Sequence, residues 1–287
     1  MILSEYLREC QETLKNAGFG NPFQGCAEPG AGILRTAGEP NQCFREDPLR
    51  ILSGLHFAAR FRLTIEEATW QAMLQQRHLL DSSSRDQVYD ELCKLLISVT
   101  TAEELGKFGP VLAAVIPELE PMIGFDQHSP HHAYDLFTHT VHVVAGVPED
   151  LTLRWAALLH DVGKIPTFTR DSTGRGHFYG HAQASAEMAD AILRRLKAPA
   201  SLREQVIFLI EKHMTKLEPE KTTLRRWLSC PGEETTKQLL LLQEADMSSK
   251  GIGKPKELAQ FSRIREVLEE TTPNDKEILL NEAKHRT

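Results

Sequence analysis

The stretch Leu158-Leu159-His160-Asp161-Val162-Gly163-Lys164 constrains this chain more than any other. It places an imidazole and a carboxylate side by side at the foot of an apolar segment. Upstream, Asp150 can cap a helix N-terminus, and Gly163 can end that helix in a left-handed C-cap, so the spacing predicts a helix over about 150–162. Leu153, Ala156, Ala157 and His160 then share one face, which turns the histidine toward the core. An ionised carboxylate taken out of water costs several kcal/mol or more unless it is paired or coordinates a metal. A fold that accommodates the doublet must therefore bring complementary groups to it from elsewhere in the chain.

Most of the remaining sequence also reads as helix. Leu3, Tyr6, Leu7, Cys10 and Leu14 form one apolar stripe stopped by Gly18, and a Gly- and Pro-rich connection runs on to Gly32. Asp47 and Pro48 can open a helix that carries Leu49, Leu52, Leu55 and Ala59 on one side. Helical patterns follow at about 66–76, 85–97 and 102–114, and Pro117 and Pro121 mark a boundary. Beyond it the pattern predicts helices at about 133–145, 150–162, 181–197, 202–214 and 234–248, with a Gly-rich loop over 167–179. No segment sustains the alternation of a half-buried strand, so the expected fold is all-α, in two helical bundles. The tail from Glu266 to Thr287 has little apolar content after Leu280 and is expected to fray.

Composition narrows the function classes. No apolar run approaches the roughly 18 residues of a membrane span. Met1–Tyr6 turns charged at once, so a cytoplasmic location is expected. The five cysteines form no C-x-x-C pair, against both a zinc knuckle and a disulfide framework. A net charge of −7 gives no global attraction for nucleic acid. Of the 12 histidines, however, more than half fall between His128 and His213.

Several of these join the doublet. His139 flanks the stripe Leu136, Phe137, Thr140, Val141 and Val144. His181 opens a helix in line with Ala184, Ser185 and Met188, and His213 closes one in line with Val206, Leu209 and Ile210. Asp246 shares a face with Leu239 and Leu242, where an unpaired carboxylate would be costly. Nitrogen and oxygen ligands without a thiolate suit a divalent Mg, Mn, Fe, Co, Ni or Zn ion, which would activate water and polarise a phosphoryl oxygen. His177 competes with His181 for a place in the set, and His142 competes with His139.

The series His139, His160-Asp161, His181, His213, Asp246 resembles the ligand order of the HD-domain metal-dependent phosphohydrolases. The resemblance implies that His139, His160, Asp161 and Asp246 form the core metal site, and that His181 and His213 add a second ion in a binuclear centre. His160-Asp161-Val162-Gly163-Lys164 matches the form H-D-x-G-K, so Lys164 would hold a substrate phosphate. Asp161 would bridge the ions or orient the attacking water, and His132 is the candidate general acid.

A second resemblance is broader. Ile33-Leu34-Arg35-Thr36, Phe44-Arg45-Glu46-Asp47-Pro48-Leu49-Arg50, Phe57-Ala58-Ala59 and Asp90-Glu91-Leu92-Cys93-Lys94-Leu95-Leu96 resemble the neck and body of bacterial CCA-adding enzymes, the tRNA nucleotidyltransferases. Glu46, Asp47 and Arg50 match the family motif that binds the incoming nucleotide. Ser53 and His56 stand where the family carries arginines. The catalytic head of that family, with its D-x-D carboxylates, would precede the matched region, where this chain has only Met1–Lys15. The expected organisation is a head-junction segment over 1–35, a neck/body-like helical domain over 36–120, an HD-type helical domain over 121–250 and a helical tail over 251–287. The expected function is metal-dependent hydrolysis of a phosphomonoester or phosphodiester, such as a nucleotide, a 2′,3′-cyclic phosphate or an RNA 3′ end, with nucleotidyl transfer not expected from the chain on its own. The alternative is an RNA-binding module in tRNA 3′-end processing, partnered by tRNA or by a separate nucleotidyltransferase head.

Overall fold

The computed structural model describes residues 3–22, 32–130, 133–251, 253 and 255–271. The described chain is all-α as expected, with only four two-residue strands. Its elements are α1 (Leu3–Asn16), β1 (Ile33–Leu34), α2 (Pro40–Glu46), α3 (Leu49–Phe61), β2 (Thr64–Ile65), α4 (Glu67–Gln76), α5 (Arg85–Ser98), α6 (Ala102–Lys107) and α7 (Gly109–Val115). There follow α8 (Leu136–Gly146), α9 (Leu151–Leu159), α10 (Lys164–Thr167), β3 (Thr169–Arg170), β4 (Gly176–His177), α11 (His181–Arg195), α12 (Ala200–Lys212), α13 (Lys221–Trp227), α14 (Glu233–Ser248) and α15 (Pro255–Glu269). No described helix is long and apolar enough to cross a membrane.

The chain divides into two compact units. The first comprises 1–123 with the short returns 149–151 and 191–199, and the second comprises 124–148, 152–190 and 200–287. In the first, α3 packs along α5 and α2 along α4. Ile51, Leu52, Leu55, Leu92, Leu95 and Leu96 bury almost completely, each removing apolar area worth about 25 cal/mol per Å². Asp47 does act at the start of α3, its Oδ1 accepting from the Leu49 amide at 3.1 Å. The parallel pair β1–β2 ties the entry of this unit to the end of α3.

In the second unit α14 packs against α8, α12 and α15. Asp135 caps α8, its Oδ1 accepting from the Phe137 and Thr138 amides at 3.0 Å each. Helix α9 buries every residue from Thr152 to Leu159.

Two expectations change at the doublet. Helix α9 ends at Leu159, so His160 and Asp161 lie on the turn that follows it rather than on the helix. Gly163 is not a left-handed cap, having φ −74° and ψ −7°. Its role is steric, because a Cβ there would lie 2.4 Å from the Ser185 amide nitrogen and 2.7 Å from the His181 carbonyl oxygen. The absence of a side chain is what lets the start of α11 approach the turn. The segment 167–179, expected as loop, contains the antiparallel pair β3–β4.

Candidate metal centre

Five segments of the second unit converge on one point. His139 comes from α8, His160 and Asp161 from the turn after α9, His181 from the first position of α11, His213 from the end of α12 and Asp246 from α14. They fall into two triads, His139 with His160 and Asp246, and Asp161 with His181 and His213. Within each triad the ligand atoms lie within 4.8 Å of one another. His139, His160, Asp161, His213 and Asp246 are buried, and His181 is nearly so.

The four imidazoles share one arrangement. Each turns Nδ1 to a backbone carbonyl: His139 to Ser249 at 3.0 Å, His160 to Ala157 at 2.8 Å, His181 to Phe178 at 2.8 Å and His213 to Ile210 at 2.6 Å. A carbonyl only accepts, so the ring proton belongs on Nδ1 and the Nε2 lone pair looks inward. Backbone anchoring of this kind fixes the tautomer and orientation of metal-ligating histidines. Nε2 of His139 lies 3.1 Å from Asp246 Oδ1 and 3.5 Å from Asp161 Oδ2, and Nε2 of His160 lies 3.2 Å from Asp161 Oδ2. On the other side, Asp161 Oδ1 lies 3.6 Å from His181 Nε2 and 4.0 Å from His213 Nε2.

Lone pairs facing one another at such distances repel unless positive charge lies between them. His160 Nε2 and Asp161 Oδ2 are both buried and, despite their closeness, are not joined by a hydrogen bond of acceptable geometry. That is how donor atoms lie around a shared cation. Burial pushes the carboxyls of Asp161 and Asp246 up. His160 and Lys164 beside Asp161, and the His139 contact and Lys250 beside Asp246, outweigh it and hold both well below the usual range. Burial pushes His213 down to about 4 and also lowers His181, so both rings present neutral nitrogens at neutral pH. For His160 burial is overcome by the charge of Asp161, and its affinity for a proton rises. The carboxylates thus favour positive charge at this point, whether carried by a proton or a metal ion.

Lys164, at the start of α10, is buried. Its ammonium lies 2.7 Å from Asp161 Oδ2 and donates to Gln127 Oε1 at 3.0 Å, over the Phe178 ring at 5.3 Å. Two of its three donors are therefore directed to protein. A cavity of about 280 Å³ opens over the centre, lined among others by Asp161, Lys164, His181, His213, Asp246 and Lys250.

His177 lies outside both triads, on β4, paired with Asp171 at 2.8 Å. His142 also stands apart, stacked on Tyr134 with ring centroids 4.7 Å apart. His132 falls outside the described residues. Glu46, Asp47 and Arg50 belong to the first unit, where they meet at the junction of α2 and α3. Arg50 lies 3.8 Å from Glu46 and 3.7 Å from Asp47. Sequence reasoning missed Gln127, whose side chain steadies Lys164 although no periodic pattern surrounds it. It also missed Lys250, which lies one helical turn beyond Asp246 and 3.3 Å from it; that i,i+4 spacing was the available signal.

The HD domain family model matches residues 136–250. The chain is 34% identical over 273 residues to the A-adding tRNA nucleotidyltransferase of Deinococcus radiodurans, an alignment covering 87% of this chain and 61% of that protein. It is 32% identical over 242 residues to the CC-adding tRNA nucleotidyltransferase of Thermus thermophilus, covering 79% of this chain and 55% of the relative. The chain thus spans little more than half the length of these curated relatives. Among solved structures, the CCA-adding enzyme of Bacillus stearothermophilus in complex with CTP matches with a TM-score of 0.50 at 17% identity, over 83% of this chain and 50% of that one, a likeness of fold. Residues 136–250 of this chain thus match the HD domain family, on a helical chain similar over most of its length to the tRNA nucleotidyltransferases.

Proposed function

We propose that this chain is a metal-dependent phosphohydrolase of the HD type, acting on a phosphomonoester or phosphodiester such as a nucleotide, a 2′,3′-cyclic phosphate or the 3′ end of an RNA. The observation that carries the reading is the set of four imidazoles anchored through Nδ1, with every Nε2 turned toward the carboxylates of Asp161 and Asp246.

His139, His160 and Asp246 would hold one divalent ion, and Asp161, His181 and His213 a second. Mg, Mn, Fe, Co, Ni and Zn all suit such a donor set. Bound there, a divalent ion lowers the pKa of water toward about 7 and polarises the phosphoryl oxygen. Asp161 presents one oxygen to each triad, so its position governs both. Lys164 holds Asp161 in place and directs its remaining donor to a phosphate oxygen. The Ala157, Phe178, Ile210 and Ser249 carbonyls keep the four rings from turning. His132 remains the candidate general acid, placed by sequence alone.

Purified protein should contain divalent metal by elemental analysis and hydrolyse bis-p-nitrophenyl phosphate or 2′,3′-cyclic AMP when supplied with Mn, Co, Ni or Mg. His160→Ala and Asp161→Ala should lower that activity by at least about 100-fold, the scale of removing an essential catalytic interaction. Unchanged hydrolysis in both variants would refute the reading.

A second reading is favoured by the likeness to tRNA nucleotidyltransferases: a module of tRNA 3′-end processing that binds tRNA and works with a nucleotidyltransferase head. Glu46, Asp47 and Arg50 would then contact the nucleotide. Its signature is salt-sensitive tRNA binding that survives in His160→Ala and Asp161→Ala.

A further inference from the structure

The cavity over the metal centre has a lining that inorganic chemistry at its floor does not explain. Its floor carries the ligands with Lys164 and Lys250, while its wall includes His177, Phe178, Tyr179 and Met214. Tyr179 is 78% exposed and Met214 56% exposed, the two largest values among the exposed large apolar side chains of the described residues. Exposing such surface forgoes about 25 cal/mol per Å² of apolar area. Both residues do so at the mouth of the same cavity.

Tyr179 is also held in place. Asp171 accepts from the Thr173 and Arg175 amides at 2.8 and 3.1 Å, fixing the turn between β3 and β4. Its other oxygen lies 2.8 Å from His177 Nε2, which orients the imidazole. The Tyr179 ring stacks on that imidazole with centroids 5.3 Å apart and planes inclined by 6°, and its hydroxyl lies 3.3 Å from His177 Nδ1. One face of the phenol is thus supported by His177, and the ring as a whole is open to solvent. A rigid aromatic face with an open side, next to a cationic and metal-ligating floor, is complementary to a planar base attached to a phosphate.

We infer that His177 and Tyr179 form a stacking platform for the nucleobase of the substrate, with Met214 as an adaptable apolar neighbour, so that the centre selects phosphate esters of nucleosides over esters lacking a base. This deepens the hydrolytic reading above and rests on it. The platform is a specificity element, and the chemistry stays with the metal ligands.

The test compares 3′-AMP with β-glycerophosphate, a phosphomonoester without a base. Tyr179→Ala should lower the ratio of kcat/KM for 3′-AMP to that for β-glycerophosphate about tenfold, chiefly through KM, within the range measured for base–aromatic stacking. Tyr179→Trp should preserve the ratio or raise it. Equilibrium titration of the metal-loaded protein supplies a readout independent of turnover, in which Tyr179→Ala should weaken 3′-AMP about tenfold more than inorganic phosphate. Turnover of both esters at an unchanged ratio would overturn the platform and leave the hydrolytic reading standing. No turnover of either ester or of 2′,3′-cyclic AMP, with Tyr179-dependent affinity for 3′-AMP, would retain the platform and remove the hydrolytic reading. Equal affinities of wild type and Tyr179→Ala for 3′-AMP would overturn the platform in any case.

Discussion

Gly163→Ala is the single-methyl change whose consequences the structure makes most definite. Glycine at φ −74° and ψ −7° sits where alanine is at ease. On conformational grounds alone the substitution would stabilise by about 0.4–1 kcal/mol, because it restricts the unfolded chain. Packing opposes this. The added Cβ would lie 2.4 Å from Ser185 N, 2.7 Å from His181 O and 2.8 Å from Ala184 C, roughly 1 Å inside comfortable contact at about 3.5 Å. All three are backbone atoms, so no rotamer change relieves the clash and the start of α11 must move. Overpacking of this kind costs about 1–3 kcal/mol. The bond from the Gly163 amide to Ser185 Oγ at 2.9 Å, worth about 1 kcal/mol, stretches with it. The expected net loss is about 2–3 kcal/mol, or about 1 M in the urea midpoint of the second unit. Because His181 is the first residue of α11, the same movement should weaken metal binding about tenfold or more by equilibrium titration. A Gly163→Ala protein with an unchanged or higher midpoint and wild-type metal affinity would refute the account of this glycine.

The remaining predictions concern other groups. Saturating divalent metal should raise the melting temperature of the second unit, by the equivalent of about 2.7 kcal/mol at 100 times Kd, and EDTA should reverse it. Asp161→Asn, at the carboxylate that faces both triads, should abolish most of the difference, as scanning calorimetry would record. In the first unit, burial pushes Glu91 up, but the His56 ring at 3.7 Å and the Lys94 ammonium at 2.7 Å prevail and hold its pKa at about 2. Since the folded value lies below the unfolded one, the stabilisation is complete above about pH 4.5 and fades as pH falls toward 2. It amounts to at most about 3 kcal/mol. Denaturant melts of wild type and Glu91→Gln should therefore differ at pH 6 and converge only near pH 2. Burial, reinforced by neighbouring Glu9, pushes the Cys10 thiol up to about 12, whereas Cys230 is exposed. Iodoacetamide under native conditions should label Cys230 readily and leave Cys10 unmodified, as peptide mass mapping would report.

How much was legible beforehand follows from where burial is periodic. Helices α3, α5, α8 and α12 bury residues at helical spacing, and the sequence pattern located them. Helix α2 was missed because it is short and buries only Cys43 and Phe44, too few for a stripe. The β3–β4 pair escaped because its strands are two residues long and mostly exposed, leaving no alternation to read. The inward polar residues were legible individually, since each lies in line with apolar neighbours. Their division into two triads was not, because it depends on the depth of each turn and on the tight approach at Gly163. Local turn geometry likewise distinguishes His177 from His181. Four residues apart, they would share a helix face, but the chain is extended at His177 and turns through Gly180 at φ +76° before α11 begins at His181.

That separation bears on function. Had the helix begun a turn earlier, both imidazoles would have faced the carboxylates and the site would have lacked its aromatic wall. Because Gly180 breaks the chain between them, one histidine turns Nε2 to Asp161 while the other is taken by Asp171 and lies beneath Tyr179. Gly180→Ala probes this arrangement without touching a ligand. No atom lies within 4 Å of a Cβ built there, so its cost is conformational only, about 1–2 kcal/mol for a positive φ. If the turn holds both histidines apart, the variant should lose preference for 3′-AMP over β-glycerophosphate before it loses metal. Metal loss at an unchanged preference would place the importance of Gly180 at His181 instead.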